Sequence, residues 1–168
     1  PIRHRAEEEM DVFDQAMIEF LHGGCALLVG TVDTTGKPHA GCGSGLTVLD
    51  PQTGRVRLLV NLDDAPTVAN LQPGAPVAIT TASVRTLYSV QMKGHVVSVE
   101  EATETDEAKR EQYTADFTND IHETDGDALE MLHRWAACRI VACVVDVDSS
   151  FDQTPGPSAG TPMGAARS

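Results

Sequence analysis

Positive charge is scarce in this sequence: its 168 residues carry 12 lysines and arginines against 25 aspartates and glutamates, a formal charge of −13 at neutral pH. Such a chain repels polyanions, so nucleic acid is not an expected partner. Cysteine is sparse too. Cys25, Cys42, Cys138 and Cys143 show no C-x-x-C spacing and sit in apolar runs, which suits buried thiols in a reducing compartment rather than a disulfide framework or zinc site. No apolar run reaches the roughly 20 residues that span a bilayer. The polar, acidic first stretch has no apolar segment of signal-peptide length. The expectation is a soluble, cytoplasmic protein with no membrane partner. A G-x-S-x-G elbow is also missing, and Gly43-Ser44-Gly45 has no assignable histidine and acid, which disfavours a hydrolase. With no internal repeat and ordinary apolar content, the chain reads as one domain able to bury its own core.

What is present is organised around residues 24–50. An apolar strand (Cys25 to Val29) leads to a turn at Asp33-Thr34-Thr35-Gly36, closed by Lys37-Pro38, and returns as a second strand. Gly36 supplies the positive φ that such a connection needs. In the second strand Gly41, Gly43 and Gly45 alternate with Cys42, Ser44 and Leu46. Period-2 geometry puts the three glycines on one face, where another backbone or a ligand can come close. A bent, tightly packed barrel strand without a ligand is the other reading of the same spacing.

Around this hairpin the remaining elements follow in order. Met10, Phe13, Met17, Phe20 and Leu21 predict an amphipathic helix over residues 5–22, ended by Gly23-Gly24, with His22 as a partner for its last carbonyls. A turn at residues 50–54 precedes a strand over 55–61, in which Arg55 and Arg57 share a face. Pro66 opens a short helical turn, and Pro73-Gly74 ends it. Strands over 77–82 and 86–100 come next, the longer one interrupted by Gly94 and expected to bend there. Thr103 with Asp106 forms a capping-box pattern before a helix bearing Tyr113, Phe117 and Ile121. After Asp125-Gly126, Leu129, Leu132, Trp135 and Ala136 mark a second helix. Asp120, His122, Glu123 and Asp125 fall at that helix end and read as solvated caps, so no metal is assigned. Residues 139–147 read as a central strand. The division is a domain over 1–151 and a proline- and glycine-rich tail over 152–168.

This order, with Val29-Gly30-Thr31-Val32-Asp33, Gly36-Lys37-Pro38, Asn61 ending the third strand and Val90-Gln91-Met92-Lys93-Gly94, resembles the pyridoxamine 5'-phosphate oxidase-like family. The resemblance implies a mainly β fold with helices: a six-stranded antiparallel split β-barrel of the FMN-binding type, paired as a homodimer with flavin sites at the interface. It further implies an FMN-binding oxidoreductase acting on a small-molecule substrate. Family oxidases hold the flavin phosphate with an arginine and a lysine bracketing the second strand, an Arg-Lys pair opening the short helix and a glutamine on the fifth strand. The matching positions here are Gly41 and Leu46, Ala65 and Pro66, and Ser89. The missing basic groups disfavour vitamin-B6 oxidase activity.

The cofactor contacts expected around the family's cleft are Ser44, Asn61, Arg85, Gln91 and Lys93, and no catalytic residue is named. Other strand residues that offer basic or hydroxyl groups are Arg57, Thr80, Thr81 and Ser83. Two alternatives stand beside the flavin: a haem-binding or haem-handling protein, with His39, Cys42 or His95 as an iron ligand, and a cofactor-free binding module. For the tail, the prolines of Gln153-Thr154-Pro155-Gly156-Pro157 predict an extended arm that crosses onto a partner chain, or else a disordered terminus.

Overall fold

In the computed structural model, which describes residues 12–134 and 136–164, one aspartate organises the first hairpin. The Asp33 carboxylate accepts from the Thr35 N–H at 2.8 Å, the Thr35 hydroxyl at 2.6 Å and the Lys37 N–H at 3.0 Å. Gly36 turns the chain at φ +85°. The strands that meet there are β1 (Ala26–Val32) and β2 (Pro38–Asp50). They are joined by β3 (Arg55–Asn61), β4 (Pro76–Ala82), β5 (Ser89–Glu101) and β6 (Ile140–Asp152). Every pairing is antiparallel, and β3 pairs with β6 as well as β2. The sheet therefore closes in the order β1-β4-β5-β6-β3-β2. Closure removes the exposed edges that an open sheet would carry.

Inward side chains fill the barrel: Leu27, Val29, Leu58, Val60, Ile79, Val90, Met92 and Val145 are all nearly or wholly buried. Strand β6 is central as expected, and β5 changes register between Lys93 and Gly94. A Cβ on Gly94 would stand 2.0 Å from the Asp146 carbonyl oxygen, so the bend depends on a residue without a side chain.

Helix α1 is Gln15–His22, shorter than the 5–22 periodicity predicted. Asp14 caps it by accepting from the Met17 N–H at 2.8 Å, and residues 12–14 are not helical. Residues 5–11 lie outside the described residues. His22 takes a different partner from the one expected. Its Nε2 accepts from the Val48 N–H at 2.9 Å, while Lys109 Nζ donates to the His22 carbonyl at 2.6 Å. The histidine thus ties α1 to β2, and a lysine from a distant helix caps α1.

Helix α2 (Ala65–Asn70) follows β3. Helix α3 (Glu104–Asp125) carries the full capping box of Thr103 and Asp106 and stops at Gly126. Helix α4 (Leu129–His133) is one short turn, and Trp135 lies outside the described residues. Strand β5 starts at Ser89 rather than 86, because residues 84–86 form a turn, closed by the Leu87 N–H on the Ser83 carbonyl, and Leu87 leaves it at φ +62°.

The tail corrects the expectation of an arm reaching a partner. Gln153 N–H donates to the Ser89 carbonyl at 2.8 Å, and Gly160 N–H to that of Asp152 at 2.6 Å. A seventh short strand, β7 (Pro162–Met163), then pairs back on β6. The prolines and glycines build a compact return onto the chain's own barrel.

Candidate functional site

The glycine stripe of β2 is covered by neighbouring side chains. A Cβ on Gly41 would stand 2.3 Å from both Asp64 Oδ2 and Thr67 Oγ1, and one on Gly43 would stand 2.0 Å from Leu27 Cδ2. Close packing is thus present at Gly41 and Gly43, but a register shift between Gly43 and Gly45 turns Gly45 to the other face, against Leu59 and Lys109, so the three glycines do not share one face as period-2 geometry predicted. Glycine at position 41 lets the start of α2 dock on the strand, and at 43 it lets Leu27 fill the barrel.

Cys42 and Ser44 open onto a cavity of about 360 Å³. Its barrel wall is Ala26, Leu27, Leu28, Cys42, Gly43 and Ser44, with Asn61 at the end of β3. The opposite wall is α3, through Tyr113, Thr114, Phe117, Thr118 and Ile121, and residues Leu132, Ala136 and Ala137 close it. No lysine, arginine, histidine, aspartate or glutamate lines it among the described residues. Tyr113 and Phe117 stack, with ring centroids 5.8 Å apart. Burial pushes the Tyr113 phenol well above its ordinary pKa, so it stays a neutral donor.

Several polar groups that line the cavity are unspent. Among the described residues, the Ser44 hydroxyl, the Tyr113 hydroxyl and the Asn61 side-chain NH2 have no hydrogen-bond partner, while Asn61 Oδ1 accepts from the Asp63 N–H at 3.0 Å. No fully buried side-chain polar atom of the described residues lacks a partner, so these free donors are ones that can face the cavity. An apolar hollow with a few convergent polar groups is the usual form of a small-molecule site.

The structure brings Ser44 and Asn61 together and places the other three expected contacts elsewhere. Lys93 lies on a second, shallower hollow on the outer face of β1, β2, β4 and β5, with its ammonium 5.0 Å from the centre of the Phe151 ring. Gln91 donates to Thr80 Oγ1 at 3.1 Å. Arg85 donates to Asp120 at 2.6 Å and also to Glu123, fastening the β4–β5 connection to α3. Asp120 and Glu123, read from sequence as solvated caps, are thus partners of that arginine. Arg57 is held by Asp106 and Glu100. Of the three haem-ligand candidates, Cys42 is on the cavity wall. His39 and His95 line the second hollow and pair with Asp64 at 3.1 Å and Asp148 at 2.6 Å.

The residues missed from sequence are Tyr113, Thr114 and Phe117. The four-residue spacing of Tyr113, Phe117 and Ile121 was legible as a packing stripe, but not that it lines a cavity against β1 and β2.

A phosphorylated flavin does not fit these residues. Of the positions that correspond to the family's phosphate-binding bases, Gly41 faces Asp64, Leu46 is buried, Ala65 and Pro66 are exposed, and the Ser89 hydroxyl donates to the Leu87 carbonyl. Asp64 caps α2 through Thr67 and pairs with His39. Burial works against its ionisation, yet the bonds from Thr67 and His39 outweigh it and hold the carboxyl below its ordinary pKa. A carboxylate therefore stands beside the strand position where the family places a cation.

No protein-family model and no curated protein matches the chain by sequence. Solved structures do match it. HupZ of Group A Streptococcus superposes with a TM-score of 0.53 at 17% identity, over 88% of this chain and 99% of that one. A presumed pyridoxamine 5'-phosphate oxidase from Lactobacillus delbrueckii gives 0.51 at 17%, over 84% and 95%. An F420 reductase gives 0.53 at 13%, over 82% and 98%. At these identities the likeness is one of fold: the chain has the split barrel of the pyridoxamine 5'-phosphate oxidase-like proteins.

Proposed function

We propose that this chain is a small-molecule-binding split barrel whose ligand enters the cavity between β1, β2 and α3 through a planar, largely apolar ring system. The flavin isoalloxazine has that shape, with carbonyl and ring-nitrogen acceptors at its edge. The observation that carries the reading is the apolar cavity of about 360 Å³ holding free donors at Ser44, Tyr113 and Asn61. Those donors match a ring's acceptors without introducing charge.

Titration with riboflavin, followed by flavin fluorescence and absorption, tests this. The expected result is quenched emission and a shifted visible band, both lost in Ser44→Leu, whose side chain would project into the cavity. Unchanged spectra with the folded wild-type protein overturn the flavin reading. A Soret band on adding haemin instead would support the haem alternative, and no response to either would favour a cofactor-free module.

The assembly proposed with it is a homodimer. The outward face of β1, β2 and β4 carries Leu28, Val32, Ala40, Cys42 and Ala78 without a charge, in a chain of formal charge −13. Leu28 is 52% exposed and Val32 38%. A twofold contact would cover this face on both copies at once. Light scattering at micromolar concentration should give twice the chain mass, and Leu28→Asp should shift it toward monomer.

A further inference from the structure

We infer that the cavity holds a redox-active ring more tightly in its oxidised form than in its reduced form, because nothing on the wall balances a negative charge; this rests on the cavity reading above. Two electrons and one proton turn the neutral isoalloxazine into a reduced ring that is an anion above neutral pH. A protein sets the potential of such a ring by the charges and hydrogen-bonding groups it places at the ring's edge.

Here the wall offers no charge. No lysine, arginine or histidine lines the cavity among the described residues, and the cations on the same elements are engaged or face solvent. Lys109, one turn before Tyr113 on α3, donates to the His22 carbonyl, and Arg110 donates to Glu107 and to the Ala137 carbonyl. Arg139 pairs with Asp63 beyond Asn61, while His133 and Arg134 are exposed. Acids adjoin the wall instead: Asp116 precedes Phe117 and Asp120 precedes Ile121, in a chain of formal charge −13. An anion held among these apolar side chains loses its hydration and finds no partner cation. Reduction also turns a ring nitrogen from an acceptor into an N–H donor. The Asn61 NH2 can only donate, and its Oδ1 already accepts from the Asp63 N–H, so this side chain favours the oxidised ring.

Riboflavin carries the ring without a phosphate, so its midpoint potential, free and bound, tests the inference by dithionite titration against reference dyes at about pH 8. The reduced ring is expected to bind about a hundredfold more weakly than the oxidised one. For a two-electron couple at about 30 mV per tenfold, the bound potential then lies about 60 mV below that of free riboflavin. Thr114→Lys puts an ammonium on the helix wall and should recover roughly half of that shift. Thr114→Gln, of similar reach but uncharged, should leave it in place. A bound potential equal to or above the free one, or a lowered one that Thr114→Lys does not raise, overturns the inference while the cavity reading stands. If the folded wild-type protein binds no oxidised riboflavin, the flavin reading itself falls, and the inference falls with it.

Discussion

Arg57 and Asp106 form a forked pair in which Nε and Nη2 each donate to one carboxylate oxygen at 2.8 Å. Their side chains are 15% and 7% exposed. The pair joins β3 to the first turn of α3, the helix that supplies the far wall of the cavity, and Glu100 holds the same guanidinium through Nη1 at 2.6 Å. Asp106 also closes the capping box with Thr103. Arg57→Ala leaves that carboxylate without its cation, and removing one partner of such a pair costs about 3 kcal/mol. Urea denaturation should show that loss, and an unchanged midpoint would mean that α3 is held without the pair.

The same pair sets an acid limit. Bonds from Arg57 lead the causes that hold the Asp106 carboxyl at about 2, below its ordinary 3.8. Because the folded pKa is the lower one, this contribution is complete above about pH 4 and is lost as pH falls toward 2. In Arg57→Met the loss of stability across that window should be smaller than in the wild type. Parallel acid curves for the two proteins would contradict the assignment.

His22 sets a second limit nearer neutrality. Burial, and then the charge of Lys109, lower its pKa from 6.5, and its Nε2 must be unprotonated to accept from Val48. The folded state prefers the neutral ring, so this stabilisation is full above pH 6.5 and declines as pH falls below it. Replacing His22 by Gln, which offers an acceptor that does not titrate, should flatten stability between pH 7 and 5. NMR titration of the imidazole that gave an ordinary or raised value would reject this.

The Ser44 hydroxyl contributes little to the fold by this geometry, since it bonds no protein group among the described residues. Ser44→Ala should leave the melting temperature essentially unchanged and weaken the ring ligand by about fivefold, the worth of roughly 1 kcal/mol for one hydrogen bond. A lower melting temperature with unchanged affinity would make Ser44 a structural residue.

Gly41 tests how closely α2 sits on β2. Gly41→Ala brings a methyl to 2.3 Å from two oxygens held by the α2 cap, which should cost about 2 kcal/mol through overpacking. The cost should be less than additive when Thr67→Ala is combined with it, since that removes one of the two oxygens while Asp64 Oδ2 stays in place.

The elements were legible from the sequence where local chemistry decides them. Asp33 and Gly36 make the first turn from residues within five positions of one another, Thr103 and Asp106 cap α3 across three, and the β-strand alternation is a property of each run alone. The glycine stripe of β2 was legible as close approach, but not what approaches. That required Asp64, Thr67 and Leu27 to arrive from α2 and β1, partners set by how the barrel closes. The same limit explains the basic residues. Arg57, Arg85 and Lys93 looked available beside a cleft, yet acids on β5 and α3 reach the first two and the Phe151 ring lies under the third. Such pairings span between 35 and 58 residues of chain and leave no periodic trace. The tail shows the rule at its clearest. Prolines set its local stiffness, but its direction came from hydrogen bonds to Ser89 and Ser150 that exist only once β5 and β6 stand side by side. The cavity is decided the same way, because the α3 stripe is apolar in any fold, and only its distance from β1 and β2 leaves room for a ligand.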